Sequence, residues 1–201
     1  MMMITIIDLG IGNIGSLKNI LRVLGEESYV THNPEKVGSA TKIILPGVGH
    51  FDQAMKSLHS TGLVEVLKDR VSDGIPLLGI CLGMQILMEG SEEGELDGLG
   101  LIPGRLVKFK NEQHKVPHMG WDYVDYKILP ITKYFGEHIT RFYFVHSYFA
   151  TVEPEYELMS TSYDDILFSS GIHKDNIYGV QFHPEKSHKH GKALLKGFVE
   201  L

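Results

Sequence analysis

Only one cysteine, Cys81, occurs in the 201 residues. Without a second thiol no intrachain disulfide can form, which fits a reducing compartment. No apolar run approaches the ~20 residues that a membrane-spanning helix needs. The apolar start "MMMITIIDLG" lacks the basic leader, long apolar stretch and small-residue cleavage site of a secretion signal. The expectation is a cytoplasmic protein with no membrane contact. Basic clusters are missing too: 25 acidic and 19 basic residues give a formal net charge of -6, and no stretch stands ready to neutralise phosphates, so nucleic acid is not expected as a partner. Repeats, low-complexity tracts and linkers are also lacking, which predicts a single domain over residues 1–201.

What is present alternates. "MITIIDL" (3–9) is a short β-branched-rich run of the kind that suits a strand covered on both faces, and it ends at the glycine-rich "GIGNIGS". Leu17, Ile20, Leu21 and Leu24 then recur at helical spacing, with Ser16 or a nearby polar residue as N-cap and Gly25 closing the element. A strand near 28–32, the run "KIILPG" (42–47), a helical stretch over about 51–72 broken at Gly62, and "IPLLGIC" follow. Such alternation predicts βαβ units: an α/β fold with a mainly parallel, doubly wound sheet and helices on both faces. The second half reads differently. "GRLVKF", "FYFVHSYFAT", "YELMSTSY", "ILFSSGI" and "NIYGVQFH" predict successive strands and thus an antiparallel addition, before a final amphipathic helix in "KALLKGFVEL".

Three segments bear chemistry. "GICLG" (79–83) has a Gly-x-nucleophile-x-Gly pattern where a strand gives way to a helix; glycines permit the sharp turn that presents the central side chain at the sheet's carboxyl edge. A cysteine there sits at a helix N-terminus, which favours thiolate, and the Leu82 N–H points toward an oxyanion formed at the sulfur. An isolated cysteine is as readily a buried apolar residue, and the pattern alone leaves both readings open. "QFHPEKS" (181–187) supplies His183 and Glu185, two apart, with Pro184 pushing the histidine toward an extended conformation that sets imidazole and carboxylate on one side. "LPGVGHF" (45–51) offers glycines that let backbone approach a ligand. All three are predicted at the carboxyl edge of one sheet.

In this order and spacing, "PGVG", "GICLGMQ" and "HPE" resemble the triad-type (class I) glutamine amidotransferase family over essentially the whole chain. "GIGN" (10–13), "KVPHMGW" (115–121), "YFVHSY" (143–148) and "HPEKS" (183–187) resemble, within it, the glutaminase subunits of imidazole glycerol phosphate synthase in histidine biosynthesis. The resemblance implies Cys81 as nucleophile toward the carboxamide of glutamine, His183 as its base and Glu185 as the partner of the imidazole. It implies an oxyanion hole from Leu82 and the Gly47-Val48-Gly49 loop, and a grip on the substrate's amino-acid end by Gln85 and backbone around Ser147 and Tyr148. It further implies a heterodimer with a (β/α)8-barrel cyclase subunit that receives ammonia, with Asn13, Tyr143 and Lys186 near the interface, and no cofactor.

Two departures are visible. His50 stands where the family usually has a small residue, and Asp122 where asparagine is commoner, which leaves open a paralogue feeding another acceptor, such as a surface-sugar amidation enzyme. A cysteine peptidase of similar topology is disfavoured by Gln85 and by Pro184-Glu185, and a non-enzymatic subunit by the presence of all three triad residues. Trp121 and His118 read equally as a core anchor beside a satisfied histidine. No metal is expected: His114 and His118 are four apart, but Pro117 disfavours the helix that would put them on one face, and there is no second cysteine.

Overall fold

A computed structural model describes residues 3–10, 12–110, 115–136 and 140–201. His114, considered above as a metal ligand, and Ile11 of "GIGN" lie outside the described residues. In chain order the strands are β1 (Ile4–Ile7), β2 (Ser28–Thr31), β3 (Ile43–Gly47), β4 (Leu77–Cys81), β5 (Gly90–Ser91), β6 (Arg105–Lys108), β7 (His118–Tyr123), β8 (Asp125–Tyr126), β9 (Arg141–His146), β10 (Tyr148–Thr151), β11 (Glu157–Tyr163), β12 (Ile166–Lys174) and β13 (Ile177–Val180). The helices are α1 (Ile14–Val23), α2 (Pro34–Gly38), α3 (Phe51–Thr61), α4 (Leu63–Ser72), α5 (Leu82–Gln85) and α6 (His188–Val199).

The main sheet runs β2-β1-β3-β4-β13-β12-β10-β6-β5. Its first five members are parallel, and the antiparallel addition begins where β12 pairs with β13. Alternate side chains of each parallel strand enter opposite cores, as the period of two requires. Ile43 and Leu45 join Met55, Leu58 and Leu67 beneath α3 and α4, while Ile44 joins Leu17 of α1 and Leu194 and Phe198 of α6. Covered on both faces, these strands are continuously apolar, which is why they are conspicuous in the sequence. Gly62 at φ 71° ends α3 and lets α4 start in a new direction.

Some boundaries differ from the sequence reading. The cap of α1 is the nearby polar residue Asn13, its side chain accepting from the Ser16 N–H at 3.3 Å, so the helix starts two residues before Ser16. The last helix begins at His188, ahead of the apolar run that signals it. The run "FYFVHSYFAT" is two strands: β9 pairs with β7 in a separate two-stranded sheet, and after a break at Ser147 the chain enters the main sheet as β10. β7 has no sequence signal because its alternation is inverted. His118 is buried, whereas Met119, Trp121 and Tyr123 are exposed. Among the described residues no helix is long and apolar enough to cross a membrane.

Candidate active site

Parallel pairing aligns strand ends, and here it aligns chemistry. Gly47 of β3 lies opposite Cys81 of β4, and Val180 of β13 lies opposite Ile80, so Gln181, Phe182 and His183 emerge beside the cysteine. The three segments singled out in the sequence therefore converge on one edge.

Cys81 is held at φ 54°, a left-handed conformation costly for a side chain with a Cβ. The turn is possible because the glycines on either side lack one. A Cβ at Gly79 would lie 2.6 Å from the Gly83 carbonyl oxygen, and a Cβ at Gly83 would lie 1.7 Å from the Leu45 carbonyl oxygen. The helix expected behind Cys81 is the single turn α5, so its end offers a sulfur anion less help than a longer helix would. Gly47 packs against Leu82, joining the glycine loop to the turn that follows Cys81.

His183 is fixed from three directions. Its N–H donates to the Tyr143 carbonyl at 2.9 Å, its carbonyl accepts from Ser187 Oγ at 2.6 Å, and Nδ1 lies 2.8 Å from Glu185 Oε1. His183 itself is extended, as Pro184 requires, but Glu185 reaches it across a 3-10 turn (Pro184–Lys186) rather than along a strand. A carboxylate only accepts, so Nδ1 carries a proton and Nε2 is the nitrogen left to take up or release one. That Nε2 is buried and has no hydrogen-bond partner among the described residues. Burial by itself lowers the His183 pKa; the nearby Cys81 sulfur and the hydrogen-bonded Glu185 carboxylate outweigh it and push the value up to about 10. The arrangement suits an imidazole that takes a proton from sulfur and keeps it as an ion pair.

Cys81 and His183 open into a cavity of about 310 Å³, whose walls include Val48, Gly49, Leu82, Gln85, Glu93, Ser147 and Tyr148. Its interior is polar in ordered ways. Gln85 Nε2 donates to Gln181 Oε1 at 3.0 Å, and Gln181 Nε2 lies 3.7 Å from Cys81 Sγ. Glu93 Oε2 accepts from the Phe51 N–H at 2.8 Å, just beyond the glycine loop. Neither Gln181 nor Glu93 was singled out from the sequence. A glutamine inside the otherwise apolar "IYGVQF" was the available signal for the first; Glu93 sits in the acidic run "SEEGELD", where nothing distinguishes it.

His50 caps α3, its Nδ1 accepting from the Asp52 N–H at 3.2 Å, and is exposed outside the cavity. Asn13 borders a small space shared with Gly47, Val48, His183 and Glu185. Lys186 lies over the Tyr143 ring at 5.4 Å, and Trp121 meets the same ring edge-on. Trp121 is 39% exposed and stacks on His188, so it is no core anchor, whereas His118 is buried and hydrogen-bonded. Among the described residues no group of three or more His, Cys, Asp or Glu is placed to hold a metal ion.

The sequence profile "Glutamine amidotransferase class-I" matches residues 5–201. The chain belongs to that family. A protein named imidazole glycerol phosphate synthase subunit HisH 2 from Methanococcus maripaludis is 48% identical over 200 residues, covering 98% of this chain and 99% of that one. The HisH subunit from Bdellovibrio bacteriovorus is 45% identical, covering 99% and 100% respectively. Among solved structures, PurLQS from Thermotoga maritima superposes with a TM-score of 0.77 at 17% identity, covering 98% of this chain and 97% of that one. A putative GMP synthase component from Thermoplasma acidophilum gives 0.75 at 20%, covering 100% and 93%. At those identities the superpositions speak for the fold: the α/β architecture with a parallel sheet is that of the class I glutamine amidotransferases.

Proposed function

We propose that this glutamine amidotransferase is the glutaminase subunit of an imidazole glycerol phosphate synthase, working through Cys81, His183 and Glu185. The observation that carries the reading is the commitment of His183 Nδ1 to Glu185, which leaves a buried, unpartnered Nε2 in the same cavity as a conformationally strained cysteine. The Cys81 sulfur, its proton passed to His183, adds to the carboxamide carbon of glutamine. The oxyanion accepts hydrogen bonds from the Leu82 N–H and from the Gly47-Val48-Gly49 loop. As the C–N bond breaks, His183 returns the proton to the leaving nitrogen, giving ammonia and a glutamyl thioester. Water, deprotonated by His183, then releases glutamate and restores the thiol.

Gln85 and the backbone at Ser147 and Tyr148 hold the amino-acid end of glutamine, and Glu93 supplies the carboxylate that its ammonium group requires. Ammonia is useful only as neutral NH3 kept from bulk water, because ammonium has no lone pair with which to attack. The acceptor is therefore a docked partner, a (β/α)8-barrel cyclase; the naming of relatives as subunits of a synthase supports a second chain. Its seat is the face bearing Asn13, Tyr143 and Lys186, beside the exposed Val48, Met119, Trp121 and Tyr123. Apolar side chains lying outward on a strand favour a partner there.

The test is glutamine hydrolysis by the chain alone and with the same organism's cyclase and its nucleotide substrate. Strong stimulation in the complex is expected, and Cys81→Ala is expected to abolish ammonia release while leaving the fold intact. Retained turnover in Cys81→Ala overturns the nucleophile. No stimulation, with Cys81 still alkylated by a glutamine mimic, keeps the chemistry and replaces the partner.

A further inference from the structure

From the cavity wall, where Tyr148 and His146 lie, a chain of polar side chains that the mechanism does not use runs inward through His118 and out to the partly exposed Asp122. His146 Nδ1 lies 2.8 Å from the Tyr148 carbonyl oxygen, His146 Nε2 lies 2.8 Å from His118 Nδ1, and His118 Nε2 lies 2.9 Å from Asp122 Oδ2. Both imidazoles are almost wholly buried, His118 at 2% exposure and His146 at 5%. The chain ends on two groups that only accept, a carbonyl and a carboxylate. Its three hydrogen bonds need three protons, and two neutral histidines carry two. Complete pairing therefore requires an extra proton held between His118 and Asp122. His146 is not its seat, because burial pushes the pKa of that imidazole down to about 3.

When the third proton is absent, one of the three hydrogen bonds must fail. The bond to the charged carboxylate is roughly twice as strong as one to a neutral carbonyl. His118 then keeps its proton on Nε2 for Asp122, its Nδ1 accepts from His146 Nε2, and His146 turns a bare Nδ1 toward Tyr148. Breaking the wholly buried His146–His118 contact instead would leave two nitrogen lone pairs facing each other at 2.8 Å away from water. The Tyr148 end is only partly buried and borders the cavity, so the hydrogen bond that breaks is the one at the cavity. We infer that Asp122, acting through His118 and His146, is a positioning residue for the glutamine site: it determines which nitrogen of His146 carries the proton, and so whether the Tyr148 carbonyl is held in place. The inference rests on the proposed role of the Ser147–Tyr148 backbone in holding glutamine.

The surroundings of the relay set its pH range. His118 lies between the stacked rings of Tyr163 at 4.0 Å and Phe144 at 4.9 Å. Burial lowers its pKa, opposed by the hydrogen bond and charge of Asp122 and by the charge of Asp164 on the neighbouring hairpin. His118 and His183 both act on His146 in the lowering direction. The extra proton is thus present on the acid side of the ordinary histidine range and leaves as pH rises through the lowered value.

Asp122→Asn tests the scheme, because an amide can donate to His118 Nε2. Two protons then satisfy all three hydrogen bonds at every pH, with His146 protonated on Nδ1. Nitrogen-15 NMR of the imidazoles, with glutamine KM and kcat from mildly acidic to mildly alkaline pH, reads both consequences. In the unaltered protein the His146 proton is expected to move from Nδ1 to Nε2 with rising pH, while KM rises roughly three- to tenfold, the scale of one neutral hydrogen bond. In Asp122→Asn both stay at their acid-limit values, and kcat follows the same pH course in the two proteins. An Nδ1 proton on His146 at all pH in the unaltered protein, or identical KM profiles in the two proteins, overturns the inference. Absence of turnover in both proteins defeats the glutaminase reading instead, and the NMR comparison still decides the relay.

Discussion

Cys81 and His183 stand at the ends of neighbouring parallel strands, yet the chain fixes them by opposite means. Cys81 is held by exclusion: Gly79 and Gly83 bring backbone so close that no side chain fits at either position, and the cysteine is left at φ 54°. His183 is held by attraction, through three hydrogen bonds to Tyr143, Glu185 and Ser187. The first strand end is intolerant of volume and the second of lost polarity. The roles we propose fit the contrast. A nucleophile at Cys81 needs a fixed direction of attack, which hard packing gives. A base at His183 must exchange a proton and change charge, which a hydrogen-bonded frame accommodates.

The contrast can be broken at its stiffest point first. Gly83→Ala sets a methyl group against the Leu45 carbonyl oxygen and is expected to destabilise the fold by on the order of 4 kcal/mol. Gly15→Ala, in a helix with open space around it, is expected to be neutral or slightly stabilising. Denaturant midpoints compare the two. On the histidine side, Glu185→Gln keeps volume and a hydrogen bond to Nδ1 but removes charge; kcat is expected to fall on the order of 10²-fold, with a midpoint loss smaller than that of Gly83→Ala. A midpoint loss as large as that of Gly83→Ala would erase the distinction between the strand ends.

Ser187→Ala removes the hydroxyl that donates to the His183 carbonyl and accepts from the Tyr143 N–H. A loss of about 1–3 kcal/mol is expected from the buried groups left unpaired, again read as a midpoint. The smallest effect concerns pH. His183 sits above its ordinary 6.5, at about 10. A raised histidine stabilises the native state fully below 6.5, and that contribution is lost as pH climbs through about 10. In Cys81→Ala the sulfur that helps raise the value is gone, so thermal melting between those limits is expected to fall less steeply than in the unaltered protein.

Legibility followed the same division. The continuous apolar runs of β1, β3 and β4 predict buried parallel strands because both faces are covered. Cys81 and His183 were readable because steric need and the proline leave marks in the sequence. β7 was missed because its small and polar residues face inward and its large apolar ones outward. The break at Ser147 was missed because strand propensity continues across it. Gln181 and Glu93 act through long-range packing, and a single sequence carries no record of which distant residue will meet which.

That break at Ser147 has a mechanical consequence. The small sheet of β7 and β9 carries the Tyr143 carbonyl that anchors the His183 backbone, and at the break after His146 the chain passes directly into the Ser147–Tyr148 wall of the cavity. A displacement of this sheet is geared to both His183 and the Ser147–Tyr148 wall, the base and the substrate seat of the proposed mechanism. Substitutions on its outer face should therefore drag KM and kcat along one common line, whereas changes on the β3 side should leave that line.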